Sequence, residues 1–144
     1  MRIGDIPQRT IEVLKITADG PARNVVRDLN IKCEVRGVPT VRNELGLALS
    51  SRNSRLSPER LEQASCIYTL LLEMAHQARS RETSSITLTN HFNNGMKAIF
   101  AAKVEYVEVV DSHTLLPVTT AQDGTTICVA VWFDDVRLID NISI

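Results

Sequence analysis

The chain has 144 residues, 44% of them hydrophobic and 23% charged, with a formal net charge of -1 at pH 7, the make-up of a single soluble globular domain with a modest core. That charge balance lacks the basic field a nucleic-acid partner requires, and an aromatic fraction of 4% leaves few platforms for stacking bases. Cys33, Cys66 and Cys128 are odd in number, far apart and never in a Cys-x-x-Cys pair, which argues against a disulfide framework or a zinc site and fits a reducing cytosol.

The first residues, Met1-Arg2-Ile3-Gly4-Asp5, lead into no apolar signal core, and no apolar run reaches membrane-spanning length, so a cytoplasmic protein without a membrane partner is expected. Asp5 and Pro7 suit the start of a short helix whose stripe is Ile11, Leu14 and Ile16, ended by Ala18-Asp19-Gly20. From Pro21 to Asn30, the spacing of Val25, Val26 and Leu29, with Arg23 and Arg27 outside, predicts a second amphipathic helix. Ile31, Cys33 and Val35 then alternate with Lys32, Glu34 and Arg36, the period of a half-buried strand, which Gly37-Val38-Pro39 stops.

Pro39 to Asn53 is read as an irregular loop with Gly46 as a flexible joint. Ser57 suits an N-cap with Pro58 at the first helical position, and Leu61, Ala64, Ile67, Tyr68, Leu71, Leu72, Ala75 and Ala78 predict one long helix from Pro58 to about Arg79. A polar connection, Ser80 to Ser85, leads to a helix from Thr87 to Ala102 carrying Leu88, Phe92, Met96, Ile99 and Phe100, with Asn93-Asn94-Gly95 weakening its middle. Val104 to Val110, Ile127 to Phe133 and Val136 to Asp140 read as strands, the last two joined by Asp134-Asp135. The fold expected is α+β, a small three-stranded antiparallel sheet covered by two helices. His76, His91 and His113 are too scattered in sequence for a local metal motif, and no metal ligands are assigned.

Within the loop, Ser50-Ser51-Arg52-Asn53 gathers two hydroxyls, a guanidinium and an amide, donors of the kind that converge on phosphate oxygens. The same residue types are ordinary turn and cap formers, so the tetrapeptide alone fits either role. A longer string decides the direction. Pro39-Thr40-Val41-Arg42, Gly46-Leu47-Ala48-Leu49-Ser50-Ser51-Arg52-Asn53 and Leu56-Ser57-Pro58-Glu59, with Val104 to Asp111 and the closing Val131-Trp132-Phe133 and Arg137 to Ile142, closely resemble the C-terminal half of pantothenate synthetases (pantoate–beta-alanine ligases). The likeness runs from about Val26 to the C-terminus.

The resemblance implies residues 39–144 as a C-terminal, ATP-covering domain and residues 1–38 as a divergent segment with a helix-strand remnant of a Rossmann-like nucleotide-binding domain. It implies ATP as substrate, with Mg2+ on its phosphates, and pantoate and beta-alanine as partners in an adenylate-forming ligase reaction. The backbone at Val41 would meet the adenine, Leu49, Ser50 and Ser51 would line the triphosphate, and Arg52 would be the catalytic residue neutralising the departing pyrophosphate. Two departures stand out: Leu45 replaces the family's Asp before the glycine, and Ser54-Arg55 replaces the usual pair ahead of Leu56. The His-x-Gly-His nucleotide signature and the pantoate pocket are missing, so the chain is expected to be inactive alone and to depend on an N-terminal half on another chain. The alternative is a non-catalytic interaction module, a homodimer for instance, in which the unfamiliar Met1 to Gly20 segment covers the surface left open.

Overall fold

A computed structural model describes residues 11–12, 25–32, 35–36 and 39–144. The chain divides into two compact units, Met1–Thr40 and Val41–Ile144.

In the first unit β1 (Ile11–Glu12) pairs in parallel with β2 (Val35–Arg36), Ile11 opposite Val35. Parallel neighbours require a crossover, and residues 25–28 are helical. That turn ends at Asn30, which takes φ 48. Asn30 N–H reaches the carbonyl of Arg27 and Ile31 N–H that of Val26, at 3.1 and 2.9 Å, a left-handed cap that satisfies the last carbonyls. Two expectations change here. Ile11 lies on a strand rather than in a helix, because its backbone is paired with Val35. Val25 and Leu29 are 52% and 68% exposed, so they do not form the expected buried stripe. The rest of the helix expected near Asp5 lies outside the described residues, as does Cys33.

The second unit is built on an antiparallel sheet in the order β4–β6–β7, from β4 (Ala102–Asp111), β6 (Thr125–Phe133) and β7 (Val136–Ser143). Its inner face carries Ile127, Val129, Val131 and Phe133, all at most 1% exposed. Cys128 and Trp132 face the other way, as the two-residue period requires. Along β4 the period breaks. Val104 pairs with Val131 and Tyr106 with Ala130, leaving Glu105 as an extra residue, so the inward set passes from Ala102 and Val104 to Val107 and Val109. The bulged Glu105 accepts Trp132 Nε1–H at 2.6 Å and Arg137 Nε–H and Nη2–H at 2.7 and 2.9 Å, a ladder across all three strands.

Two helices, α2 (Cys66–Ser80) and α3 (Ser85–Met96), cover the inner face, α2 against β7 and α3 against β4. The long helix expected from Pro58 is in fact two, α1 (Pro58–Ala64) and α2. At the junction Ser65 Oγ donates to the Glu62 carbonyl at 2.6 Å, and the Ser65 and Tyr68 N–H groups bond three residues back. A serine competing for the backbone tightens the turn there. Ser57 and Pro58 cap α1 as expected, Ser57 Oγ accepting Arg60 N–H at 3.2 Å.

Of the predicted stripe Ala64, Ile67, Leu71, Ala75 and Ala78 are buried, whereas Leu72 is 45% exposed and its place is taken by Met74. The polar connection contains a short strand, β3 (Thr83–Ser84), paired with β5 (Thr120–Ala121). Ser84 then caps α3, which stops at Met96, so Ile99 and Phe100 lie beyond it and Phe100 is fully exposed. Gly95 is no weak point: a Cβ there would stand 2.5 Å from Leu70 Cδ2, so the glycine lets α3 approach α2.

Candidate functional site

The segment from Val41 to Arg55 is ordered by its own hydrogen bonds. Asn43 N–H reaches the Leu47 carbonyl at 3.0 Å and Leu49 N–H the Val41 carbonyl at 2.9 Å, with Arg42 and Ala48 facing each other as an antiparallel bridge. Gly46 N–H closes the turn onto the Asn43 carbonyl at 2.9 Å, while Asn43 Oδ1 accepts the Leu45 and Leu47 N–H groups at 3.1 and 2.9 Å. Asn43 therefore does the turn-closing work, and the Leu45 side chain, 52% exposed, leaves that turn intact. Gly46, expected as a flexible joint, is instead set: it has φ 83, and its added Cβ would lie 2.8 Å from Tyr68 Cδ1.

The hairpin presents Val41 and Leu49 outward, 65% and 43% exposed, and sends Leu47 and Ala48 into the core at 4% and 7%. Behind them Arg42 is held on three sides. Its Nη1 and Nη2 donate to Asp140 Oδ2 and Oδ1 at 2.6 and 3.0 Å, Nη1 also donates to the Gly46 carbonyl at 3.0 Å, and Cζ lies 3.6 Å from the centre of the Tyr68 ring. Asp140 is 3% exposed and also accepts Asn141 N–H at 2.8 Å. This arrangement joins residues 98 positions apart, and reading the loop by itself gave no sign of it.

After Leu49 the chain enters a 3-10 turn, Ser51–Arg55, capped by Ser50, whose Oγ accepts Arg52 N–H at 3.3 Å. A hydroxyl that accepts one bond still has its own hydrogen to donate. Ser51 and Arg52 are exposed. In this unit the guanidinium groups of Arg42, Arg55, Arg60, Arg79 and Arg137 are engaged, by Asp140, Asp135, Asp134, the Ser143 carbonyl and Glu105 in turn. The Arg52 guanidinium, like that of Arg81, makes no hydrogen bond or ion pair among the described residues.

Asn53 departs from its expected role, because its Nδ2 is directed to the Ala48 carbonyl at 2.9 Å and so is not an outward donor. Its Oδ1 is buried with no partner. With the Ser54 hydroxyl bonded to the Ser51 carbonyl and Arg55 paired with Asp135, the donors of the turn left uncommitted among the described residues are the Ser50 and Ser51 hydroxyls and the Arg52 guanidinium. Among the described residues there is no group of three or more His, Cys, Asp or Glu that could hold a metal ion. No helix of the described residues is long and apolar enough to cross a membrane. Cys66 and Cys128 are free thiols, and burial pushes both upward, Cys66 to about 11.

Residues 22–143 match the family model for pantoate-beta-alanine ligase. The chain belongs to that family. The pantothenate synthetase of Trichlorobacter lovleyi is 40% identical over 119 residues, which are 83% of this chain and 42% of that protein. The pantoate–beta-alanine ligase of Arabidopsis thaliana is 40% identical over 122 residues, 85% of this chain and 39% of that protein. The crystal structure of the Thermus thermophilus pantothenate synthetase aligns with a TM-score of 0.74 at 40% identity, over 84% of this chain and 44% of that one. Pantoate-beta-alanine ligase from Francisella tularensis, solved in complex with beta-gamma ATP and beta-alanine, aligns with a TM-score of 0.51 at 29% identity, over 85% and 38% of the two chains. The chain thus spans about two fifths of the length of the curated pantothenate synthetases it matches, their C-terminal portion.

Proposed function

We propose that this chain is the ATP-covering part of a pantothenate synthetase and supplies one wall of an adenylate-forming site. In this reading residues 39–144 are the covering domain and residues 1–38 a remnant of the nucleotide-binding domain. The complete reaction joins pantoate to the α-phosphorus of ATP, releasing pyrophosphate, and the amine of beta-alanine then displaces AMP to give pantothenate. Such chemistry rests mainly on positioning and on neutralising charge that develops as bonds break. The backbone at Val41 meets the adenine, Leu49, Ser50 and Ser51 line the triphosphate, and Arg52 balances charge on the departing pyrophosphate. Magnesium would ride on the ATP phosphates and offset part of their charge.

The observation that carries this reading is the Arg52 guanidinium: exposed, without a hydrogen bond or ion pair among the described residues, and next in sequence to the Ser50 and Ser51 hydroxyls at the start of the 3-10 turn. An ATP complex of a relative of the same family accords with the choice of ligand.

One wall is not a whole site, so the chain alone turns over little or nothing. The test is pantoate-dependent ATP–pyrophosphate exchange with and without an N-terminal half supplied from a relative. Activity is expected only in the mixture, and Arg52→Ala lowers that rate by roughly 100- to 1,000-fold, as loss of a charge-stabilising donor does elsewhere. Robust exchange by the chain alone would contradict the reading.

A further inference from the structure

We propose that Arg42 is the positioning residue of this site: through Asp140 and Tyr68 it fixes the Val41–Leu49 hairpin, so that Ser50, Ser51 and Arg52 are presented as one preset piece. The proposal rests on the ATP reading for what is presented, and on geometry for how. The guanidinium is 15% exposed and its carboxylate partner 3%, so the fork is shielded from water and screened little by salt. Both arms of the fork are used, at 2.6 and 3.0 Å. A third bond, to the Gly46 carbonyl at 3.0 Å, ties the tip of the turn to the same group. Tyr68, on α2, closes the stack from one side at 3.6 Å, and the absent side chain of Gly46 is what lets the turn sit on that ring.

The consequence lies one residue away on each side. Arg42 and Ala48 are opposite each other, and the adjoining pair is bonded from Leu49 N–H to the Val41 carbonyl at 2.9 Å. Ala48 in turn accepts the Asn53 amide at 2.9 Å, from within the 3-10 turn that carries Arg52. One buried ion pair therefore sets the height of Val41, Leu49 and the whole phosphate-facing turn together. Arg42 touches no ligand in this scheme. Any closing motion over ATP carries the segment as a rigid body with β7 and α2, because the segment is fastened to both.

Arg42→Ala leaves the Asp140 carboxylate buried without its countercharge and puts folding itself at risk. Two gentler variants are therefore used: Arg42→Lys, which keeps the charge but loses the planar fork and much of the stacking, and Arg42→Met with Asp140→Asn, which removes both charges. Amide hydrogen exchange is read at Gly46, Leu47 and Leu49, with the β6 amides as the measure of global opening. Exchange at the three loop amides is expected to rise at least tenfold in both variants with the β6 amides little changed. Equal loop rates in wild type and Arg42→Lys overturn the clamp.

ATP titration of the full chain, followed by the amide shifts of Ser50 to Arg52, provides the second readout. A loosened loop that binds ATP as tightly as wild type shows Arg42 to be merely structural and overturns its positioning role, whereas at least tenfold weaker binding supports it. Absence of ATP shifts in wild type, both alone and with the N-terminal half supplied, refutes the ATP reading instead, and the exchange result alone then decides the clamp.

Discussion

Gly46 shows how one position answers to two constraints. Its φ of 83 lies in the left-handed region, and the space its Cβ would fill belongs to the Tyr68 ring, 2.8 Å away. Gly46→Ala is therefore expected to destabilise the chain by about 1–3 kcal/mol, read as a lower midpoint in urea with an unchanged slope. Cys66 is the opposite case, a residue whose chemistry is suppressed. Its Sγ lies 3.5 Å from Met96 Sδ, and burial raises its thiol to about 11, so it is a packing group rather than a nucleophile near neutral pH. At the candidate site the contrast between two arginines ten positions apart is what matters. Arg42 is engaged by Asp140, Gly46 and Tyr68, while the Arg52 guanidinium has no hydrogen bond or ion pair among the described residues.

The elements follow local chemistry where a cap or a bulge decides their ends. Helix α3 begins where Ser84 Oγ accepts Thr87 N–H at 3.2 Å, with the Thr87 hydroxyl 2.8 Å away. Ser84→Ala should cost about 0.5–2 kcal/mol, visible as a shifted thermal or denaturant midpoint. In β4 the extra Glu105 moves the inward set by one residue, which is why Val104 and Val107, an odd number of positions apart, both pack on the core. Asp134 supplies the left-handed conformation, φ 53, that the turn from β6 to β7 needs, a role open to Asp without a glycine. That turn is also fastened from outside. Arg60 Nε donates to Asp134 Oδ2 at 3.0 Å and Arg55 pairs with Asp135, so the sheet end is tied at the surface to α1 and to the Ser51–Arg55 turn.

Over the whole molecule, two sets of groups bound the pH range of stability. Glu105 is held below the usual carboxylate range, chiefly by hydrogen bonds from Arg137, and Asp111 likewise by the backbone and hydroxyl donors of Thr114 with the His113 N–H. For both, the unfolded chain binds protons more readily, so their contribution is full above the ordinary carboxylate pKa and is lost as pH falls through the lower folded value. Cys66, Cys128 and Tyr106 are raised, first of all by burial. Their folded forms hold protons longer, so the contribution is full below the ordinary pKa and is lost as pH rises through the higher folded value. Denaturant midpoints measured against pH should therefore form a plateau between about pH 5 and 8 and fall on both sides. Asp111→Asn should flatten the acid limb, and a Cys66→Ala, Cys128→Ala double variant the alkaline one.

Short-range patterns by themselves determined the α+β class, the three strands, the caps at Ser57 and the inward set from Ile127 to Phe133, because a strand's two-residue period and a helix cap act over a few neighbours. The loop string pointed to the family, and family membership rests on 122 matched residues, 22–143. Only the tertiary structure decided which polar groups of the loop are spent inward and which remain outward. Arg42 meets Asp140 across 98 positions, and Gly46 meets Tyr68 across the turn of a helix, pairings that no window of local sequence contains. The same distance effect released Leu72 to the surface and brought Met74 inside. Burial depends on what the rest of the chain places opposite a residue, and that is settled when the sheet and its covering helices close on one another.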